Sequence, residues 1–282
     1  MEIIRIPRIA QDTCIKHLMK GRTIGFVPTM GALHDGHMSL VKRCRSENNV
    51  AAASIFVNPI QFGPAEDLDK YPRSMDEDVN KLRSLDVDLL FLPDNSLMYV
   101  KGFATHIQVE AVSEKLCGGF RPGHFSGVAT VVAKLFNIMS PTRTYFGQKD
   151  FQQTVVIKRM AKDLNFDTEI VVCPTIREQD GLAMSSRNSY LDDSQRRAAP
   201  VLYRSLCLAS AAVLSGERSV EKIRAAMNAE LSKEPLLTKI DYASVYDPET
   251  LEEPAEIGGD ILLAIAARMG NTRLIDNVLV NV

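Results

Sequence analysis

The stretch over residues 25–40 constrains the fold of this chain more than any other segment. An apolar run over residues 23–27 has the length and composition of a buried strand. A glycine-containing turn follows it, and a helix is predicted to begin near Gly36. The apolar residues beyond the turn recur at helical spacing: Leu40, Val41 and Cys44. A strand, a tight turn and a helix form half of a nucleotide-binding unit.

Two histidines, His34 and His37, lie in this turn. The start of a helix presents unpaired N–H groups and a partial positive charge, which suit a phosphate group. Gly36 lets the backbone approach a ligand closely, and the histidines would supply further hydrogen-bond donors. Two alternatives are solvated histidines at a helix start and a pair of zinc ligands. No third ligand and no cysteine pair with ligand spacing accompanies them, as a zinc site would require.

Composition indicates a globular protein without nucleic-acid or membrane partners. The chain has 282 residues, enough for one large or two modest domains, and 45% of them are hydrophobic. The net charge of −2 predicts no broad surface for nucleic acid or membranes. No apolar run reaches the roughly 18 residues of a membrane span, and no signal peptide is recognisable. The five cysteines are scattered, so we expect reduced thiols and a cytoplasmic location.

Uninterrupted apolar runs predict a parallel sheet covered on both faces. Strands are expected at 23–27, 50–57, 87–93, 105–109, 144–146 and 170–173, and helices at 11–20, 76–85, 128–139 and after residue 150. This alternation predicts an α/β fold with a Rossmann-like parallel sheet.

Beyond residue 190 the pattern changes. Two helical stretches precede three closely spaced strands, which predicts a smaller α+β domain. The helices are expected at 194–214, interrupted or restarted near Pro200, and at 219–231, and the strands at 240–245, 261–267 and 272–275. We place the boundary near residue 175, with a Rossmann-like domain over residues 1–175 and a C-terminal domain over residues 176–282.

Asn58 and Gln61 follow the strand predicted at 50–57. Ligands of open parallel sheets bind beyond the carboxyl ends of the strands, so these amides are placed to contact a substrate. Asn-Pro is also a common turn, and Gln61 could be solvated. Arg121 and His124, in a segment expected to be a loop, are further candidate ligand contacts or else a surface arginine and a packed histidine.

Two later segments carry groups suited to phosphates. Lys149 follows a short strand and Gly147, where it could meet a phosphate or be a solvated turn charge, and Gln153 lies one helical turn further along the same face. The loop over residues 178–188 ends in two hydroxyls and a guanidinium, which can hold a pyrophosphate by charge-assisted hydrogen bonds. This loop could instead be a mobile surface segment, and a closing lid would have the same composition.

The phosphate-binding segments match neither the Walker A loop nor the G-x-G-x-x-G dinucleotide fingerprint. His34-Asp35-Gly36-His37 resembles the HIGH-type motif of the nucleotidyltransferase superfamily. Taken together, the motifs of nearly the whole chain resemble the pantoate–β-alanine ligase family. The matching segments are Pro28–His34, Gly36-His37, Phe56–Pro59, Gln61–Gly63, Tyr71–Arg73, Tyr145–Gly147, Lys149-Asp150, Gln153, Ser185–Asn188 and Arg273–Asn277. Arg187 stands where related KMSKS-type loops often carry Lys or Ser, and it retains a positive charge.

The resemblance implies an ATP-dependent condensation of pantoate with β-alanine to pantothenate. Pantoate would attack the α-phosphorus of Mg-ATP, and β-alanine would attack the resulting pantoyl adenylate and release AMP. The implied catalytic residues are His37, His34 and Lys149, with His37 a proton donor in the family and, in our interpretation, mainly an electrostatic stabiliser. The implied ATP site comprises Met30, Gly31, Ala32, Leu33, His34, Asp35, Gly36, His37, Gly147, Gln148, Lys149, Asp150, Ile176, Met184, Ser185, Ser186 and Arg187. Gln61 and Gln153 resemble pantoate-binding residues, and Gln61 also borders the β-alanine site. The family further implies a homodimer and Mg²⁺ carried by ATP, with no metal bound by the protein itself.

Two other functional classes share some of these features. A nucleotidylyltransferase would contain the same histidine motif but transfer a nucleotide to a phosphate monoester. Its second phosphate substrate should bring additional lysines or arginines. A non-catalytic nucleotide-binding module would bind ATP without releasing pyrophosphate.

Overall fold

The structure, a computed structural model, describes residues 1–64 and 66–282. The chain divides into two compact units. The first comprises Met1–Ser113, Arg121–Gly147 and Gln153–Pro174, and the second comprises Glu114–Phe120, Gln148–Gln152 and Thr175–Val282. Two short segments that precede residue 175 in the chain therefore belong to the second unit.

A six-stranded sheet forms the centre of the first unit, and every pair of neighbouring strands is parallel. The strands are β1 Glu2–Ile4, β2 Ile24–Thr29, β3 Val50–Ile55, β4 Leu89–Phe91, β5 Arg143–Gly147 and β6 Glu169–Cys173. All six residues of β3 are buried, as expected for a strand covered on both faces. The predicted α/β fold with a Rossmann-like parallel sheet is confirmed.

The helices of the first unit are α1 Pro7–Leu18, α2 Asp35–Glu47, α3 Met75–Ser84, α4 Asn95–Met98, α6 His124–Met139 and most of α7 Phe151–Asp163. A 3-10 helix, Pro59–Gln61, follows β3. Helix α6 buries most of its length, because apolar side chains surround it on nearly every face.

The strands follow the order β1-β4-β3-β2-β5-β6 across the sheet. The chain progresses towards opposite edges of the sheet on the two sides of the β2–β5 pair. From β2 the chain proceeds outward through β3, and from β5 it proceeds to the other edge through β6. Such a switch point is where open parallel sheets bind ligands, at the carboxyl ends of the strands. Thr29, the last residue of β2, and Gly147, the last residue of β5, lie at these ends.

The second unit contains an antiparallel sheet of three strands in the order β7-β8-β9. Its elements are α5 Cys117–Phe120, α8 Asp193–Ala198, α9 Val201–Leu214, α10 Val220–Leu231, β7 Leu237–Tyr246, β8 Ile261–Met269 and β9 Thr272–Val280. Apolar side chains of the helices and of the sheet form one core. The prediction of two helices before three late strands is confirmed.

One helical stretch, Asp193–Leu214, is long and apolar enough to cross a membrane by length and composition, among the residues that the structure describes. Half of its apolar window, 50%, is buried inside the fold. Leu202, Leu206 and Val213 are among its residues in the core of the second unit. The apolar composition of this stretch is therefore that of a core helix.

Some expectations for individual segments were wrong. Residues 105–109 form no strand, because Ile107 N donates to the Thr130 side chain on α6 instead of to a neighbouring strand. The segment expected to be a loop before Val128 contains α5 and the start of α6.

The cysteines are free thiols, and burial raises the pKa of both Cys14 and Cys44 to about 12.

Candidate active site

The loop between β2 and α2 is held by a buried carboxylate of α3. Asp78 is 1% exposed and accepts hydrogen bonds from Ala32 N and Leu33 N, both at 2.8 Å. Lys81, one turn later, donates to Leu33 O at 2.7 Å. The backbone leading to His34 is therefore fixed by charge-assisted hydrogen bonds. The sequence analysis missed Asp78, because no local pattern indicates which distant backbone a helical carboxylate will contact.

The two histidines cap α2. His34 is the N-cap residue, and its Nδ1 accepts from Gly36 N at 3.2 Å. His37 Nδ1 accepts from His34 N at 3.4 Å, and the two ring centroids lie 4.1 Å apart. The helix was predicted to begin near Gly36 and begins at Asp35. Two of the N–H groups expected to be unpaired are thus hydrogen-bonded to the imidazoles.

These hydrogen bonds assign the protons of both rings. A backbone N–H can only donate, so an imidazole nitrogen that accepts from it carries no proton. Nδ1 of His34 and of His37 is therefore deprotonated, and the ring N–H is on Nε2. Each histidine can offer its Nε2–H to an anionic oxygen while Nδ1 keeps the helix capped.

Gln61 lies in a network of hydrogen bonds beyond β3. Its Oε1 accepts from Asn58 Nδ2 at 2.9 Å, and its Nε2 contacts Met30 Sδ at 3.2 Å. Asn58 Nδ2 also donates to Gly127 O at 3.1 Å, and Tyr99 donates its hydroxyl to Asn58 Oδ1 at 2.6 Å. Burial raises the pKa of Tyr99, which keeps this hydroxyl protonated.

The Gly127 carbonyl decides the orientation of both amides. A carbonyl oxygen only accepts, so the Asn58 atom beside it must be the amide nitrogen. The same nitrogen faces Gln61, whose facing atom must then be the oxygen. Gln61 consequently directs its NH₂ group towards Met30, where it can donate to an oxygen of a ligand.

Arg121 and His124 support Gln61 from the other side. Glu66 forms a bidentate ion pair with Arg121, at 2.6 and 2.8 Å. Arg121 Nη1 lies 2.9 Å from His124 Nε2, and His124 Nδ1 lies 2.8 Å from Gln61 O. Burial acts to raise the pKa of Glu66, but the hydrogen bonds and charge of Arg121 outweigh burial, and the pKa is lowered below its ordinary value. The two residues expected as ligand contacts or surface groups thus form part of a hydrogen-bonded network.

The turn that carries Lys149 is a 3-10 helix, Gln148–Asp150, in the second unit. Asn277 of β9 donates from Nδ2 to Gln148 O at 3.0 Å and to Lys149 O at 2.9 Å. Lys149 Nζ lies 3.6 Å from Asp150 Oδ1, and the lysine side chain is 19% exposed. The lysine is therefore anchored at its backbone and partly open at its side chain.

The segment over residues 176–188 folds back on itself. Met184 N donates to Ile176 O at 3.0 Å, and Arg177 pairs with Ala183 as an isolated antiparallel bridge. Ser185 caps the 3-10 helix Ser186–Tyr190 by accepting from Arg187 N at 3.3 Å. The serine and arginine groups predicted to bind pyrophosphate therefore stand at the end of a hydrogen-bonded hairpin.

The structure brings the predicted residues together in two groups, one in each unit. In the first unit, Met30 contacts Gln61, and residues 31–37 continue from Met30 into the histidine cap. Gly147 ends β5, and Gln153 lies half-buried on α7. In the second unit, β9 contacts both the Lys149 turn and Arg177, which is next to Ile176. No group of three or more His, Cys, Asp or Glu side chains in the described chain could hold a metal ion.

A family model for pantoate–β-alanine ligase matches residues 2–279. The chain belongs to the pantoate–β-alanine ligase family. It is 54% identical over 280 residues to the pantothenate synthetase of Thermodesulfovibrio yellowstonii, covering 99% of this chain and 100% of that relative. It is 50% identical over 282 residues to the pantothenate synthetase of Moorella thermoacetica, covering 100% and 99%.

Solved structures of this family share the fold. The pantothenate synthetase of Thermus thermophilus superimposes with a TM-score of 0.94 at 44% identity, over 99% of each chain. The pantoate–β-alanine ligase of Francisella tularensis, complexed with β-γ ATP and β-alanine, gives 0.80 at 37% identity over 99% and 97%. A member of this family is an ATP-dependent ligase that condenses pantoate with β-alanine to pantothenate. This function, predicted from the sequence, is confirmed, and the nucleotidylyltransferase and non-catalytic alternatives are rejected.

Proposed function

We propose that this ligase works through a pantoyl adenylate and that the two residue groups described above carry the reaction. A carboxylate oxygen of pantoate attacks the α-phosphorus of ATP, and pyrophosphate leaves. The amine of β-alanine then attacks the acyl carbon, and AMP leaves with the bridging oxygen. The observation that carries this proposal is the pair of histidines that cap α2 through Nδ1, beside the switch point of the sheet.

ATP is proposed to contact the loop after β2, the turn after β5 and the hairpin of the second unit. These residues are Met30, Gly31, Ala32, Leu33, His34, Asp35, Gly36, His37, Gly147, Gln148, Lys149, Asp150, Ile176, Met184, Ser185, Ser186 and Arg187. Ile176 would lie near the adenine. Mg²⁺ would arrive with the nucleotide, bound largely to its phosphate oxygens, as is usual for this ion.

Negative charge grows on the α-phosphoryl oxygens and on the leaving pyrophosphate during adenylation. His34, His37 and Lys149 would stabilise the first of these charges, and Ser185, Ser186 and Arg187 the second. Preplaced donors of this kind supply most of the catalysis in phosphoryl and nucleotidyl transfers. The acceptor role of His37 Nδ1 supports a stabilising role for this residue, since Nε2 is then the ring atom that can donate a hydrogen bond to the phosphate.

Gln61 and Gln153 are proposed to bind pantoate, and Gln61 to border the β-alanine site. The NH₂ group of Gln61 on the side of Met30 supports this, because pantoate offers carboxylate and hydroxyl oxygens that accept hydrogen bonds. Residues 1–175 would form the ATP- and pantoate-binding domain, and residues 176–282 the smaller domain with the Met184–Arg187 loop. A cytoplasmic homodimer is proposed from the family resemblance, and sedimentation equilibrium of the purified chain would test the dimer.

Isotope transfer distinguishes this mechanism from its alternative. Pantoate labelled with ¹⁸O in its carboxylate should pass one label into AMP and none into pyrophosphate. An acyl-phosphate route would place the label in inorganic phosphate and produce ADP. Unlabelled AMP, or ADP as the nucleotide product, would reject the adenylate even if pantothenate were formed.

A further inference from the structure

The turn that carries Lys149 is short. It is a three-residue 3-10 helix, and the hydrogen bonds of such helices have poorer geometry than those of an α-helix. A lysine on a turn of this kind can stabilise a phosphate only if the backbone beneath it is held in place. The contacts of this turn with the rest of the second unit are therefore important for its function.

Asn277 supplies that support. It is 4% exposed, and its Nδ2 donates to the carbonyl oxygens of Gln148 and Lys149 at 3.0 and 2.9 Å. Its Oδ1 lies 3.4 Å from Gln148 Nε2, so both ends of the amide face the turn. Because the two carbonyl oxygens can only accept, the orientation of the Asn277 amide is fixed.

A buried ion pair stands directly behind Asn277. Asp276 is 3% exposed and binds both terminal nitrogens of Arg177, at 2.6 and 3.0 Å. Asp276 Oδ1 also accepts from Asn277 N at 2.8 Å, and Arg177 donates to Asn277 O at 3.3 Å. The main chain of Asn277 is therefore held on both sides by one ion pair.

Arg177 extends the same network to the hairpin. It donates to Gly181 O at 3.0 Å, and its guanidinium carbon lies 3.7 Å from the ring centroid of Tyr203. One arginine thus connects the loop over residues 178–188 to the strand that holds the Lys149 turn. Arg177 is thus linked to both segments of the second unit that are proposed to bind phosphates, directly to the hairpin and through Asn277 to the Lys149 turn.

We infer that Asn277 is a positioning residue of the adenylation step: it holds the turn that carries Lys149, and the Arg177–Asp276 ion pair holds Asn277. This inference rests on the proposed role of Lys149. Asn277 itself contacts no reacting atom, and its effect on the rate passes through the lysine.

A double-mutant cycle tests this dependence, since residues that act through one another have non-additive effects. Asn277→Ala should lower the single-turnover rate of pyrophosphate release about 10- to 100-fold, while the KM for pantoate stays within about twofold. In a Lys149→Ala background the same substitution should change the residual rate by less than about twofold. Equal losses in both backgrounds, or no loss in the parent, would overturn the inference.

Asn228→Ala is the matched control. Asn228 is in the same unit and also donates its amide to a backbone carbonyl, Arg224 O at 2.8 Å, but lies on α10. This variant should keep the parental rate and melting temperature. If Asn277→Ala loses its melting transition, Asn277→Ser retains one donor for the turn, and the same cycle applies to it.

Arg177→Lys tests the outer part of the network. A lysine keeps the charge but cannot bind both oxygens of Asp276 in a fork. The rate should fall a few-fold in the parent and by a smaller factor in the Asn277→Ala background, where only the contact of Arg177 with the hairpin remains to be lost. If Arg177→Lys alone left the rate unchanged, the Arg177–Asp276 ion pair would not be needed to position Asn277. Failure of the proposed function itself would look different, because the unaltered chain would then release no pyrophosphate with pantoate and ATP.

Discussion

Gly127→Ala should damage both stability and pantoate binding, although alanine is the better helix former. Gly127 lies within α6, where replacing glycine by alanine ordinarily stabilises a protein by about 0.5–1 kcal/mol. A Cβ at this position would lie 2.5 Å from Ile60 O and 2.6 Å from Gln61 Cα. Both atoms belong to the backbone, so no side-chain rotation can relieve the overlap.

The overlap sets the size of the effect. Ordinary carbon–carbon contacts are about 3.5 Å, so Gln61 Cα at 2.6 Å would have to move by roughly 0.9 Å. Overpacking costs about 1–3 kcal/mol, which exceeds the helix-propensity gain and leaves a net loss of about 1 kcal/mol. A displacement near 1 Å at a substrate group costs up to about 100-fold, so kcat/KM for pantoate should fall about 10- to 100-fold.

Thermal unfolding and steady-state kinetics with varied pantoate would measure both effects. Gly258→Ala is the control, because a Cβ there meets no atom within 4 Å. It should leave kcat/KM unchanged. A Gly127→Ala variant with a higher melting temperature and parental kcat/KM for pantoate would refute the reasoning.

Three further predictions concern the proposed catalytic groups. His34→Ala and His37→Ala should each slow adenylation about 10²–10³-fold with the fold retained, and near-normal single-turnover rates in both would contradict their role. Lys149→Ala should slow adenylation similarly, whereas Gln153→Ala should mainly raise the KM for pantoate; an effect of Gln153→Ala on ATP affinity alone would contradict this assignment. The loop over residues 178–188 should be cleaved by protease more slowly with ATP and pantoate than without them, and equal cleavage would argue against a closing lid.

The interior strands were predicted well because burial on both faces shows in the composition of the strand itself. A strand buried on both faces must be apolar throughout, and β2 and β3 begin within one residue of their predicted starts. The edge strand β1 was not predicted, since two of its three residues are exposed and its pairing with β4 is set by tertiary structure. The strand predicted at 105–109 was wrong for a related reason. The Ile107 N–H donates to a side chain of α6 and is not available to a neighbouring strand.

The supporting residues of the candidate site could not be predicted in the same way. Asp78 and Asn277 form hydrogen bonds with segments far away in sequence. The residues next to them contain no motif that indicates which backbone groups they will contact. The histidine motif indicated a helix start but not how its N–H groups are satisfied. That depends on ring positions, which place each Nδ1 beside a backbone N–H.

Asp78 lies on a helix that carries none of the proposed substrate-binding groups, yet it keeps the backbone before His34 in one conformation. Each residue that a nucleotide does not have to order saves about 1–2 kcal/mol of conformational entropy on binding. Substitution of Asp78 should therefore weaken the affinity for ATP more than it slows the chemistry of the bound complex. Selection for altered nucleotide affinity would then act on α3 as readily as on the histidines themselves.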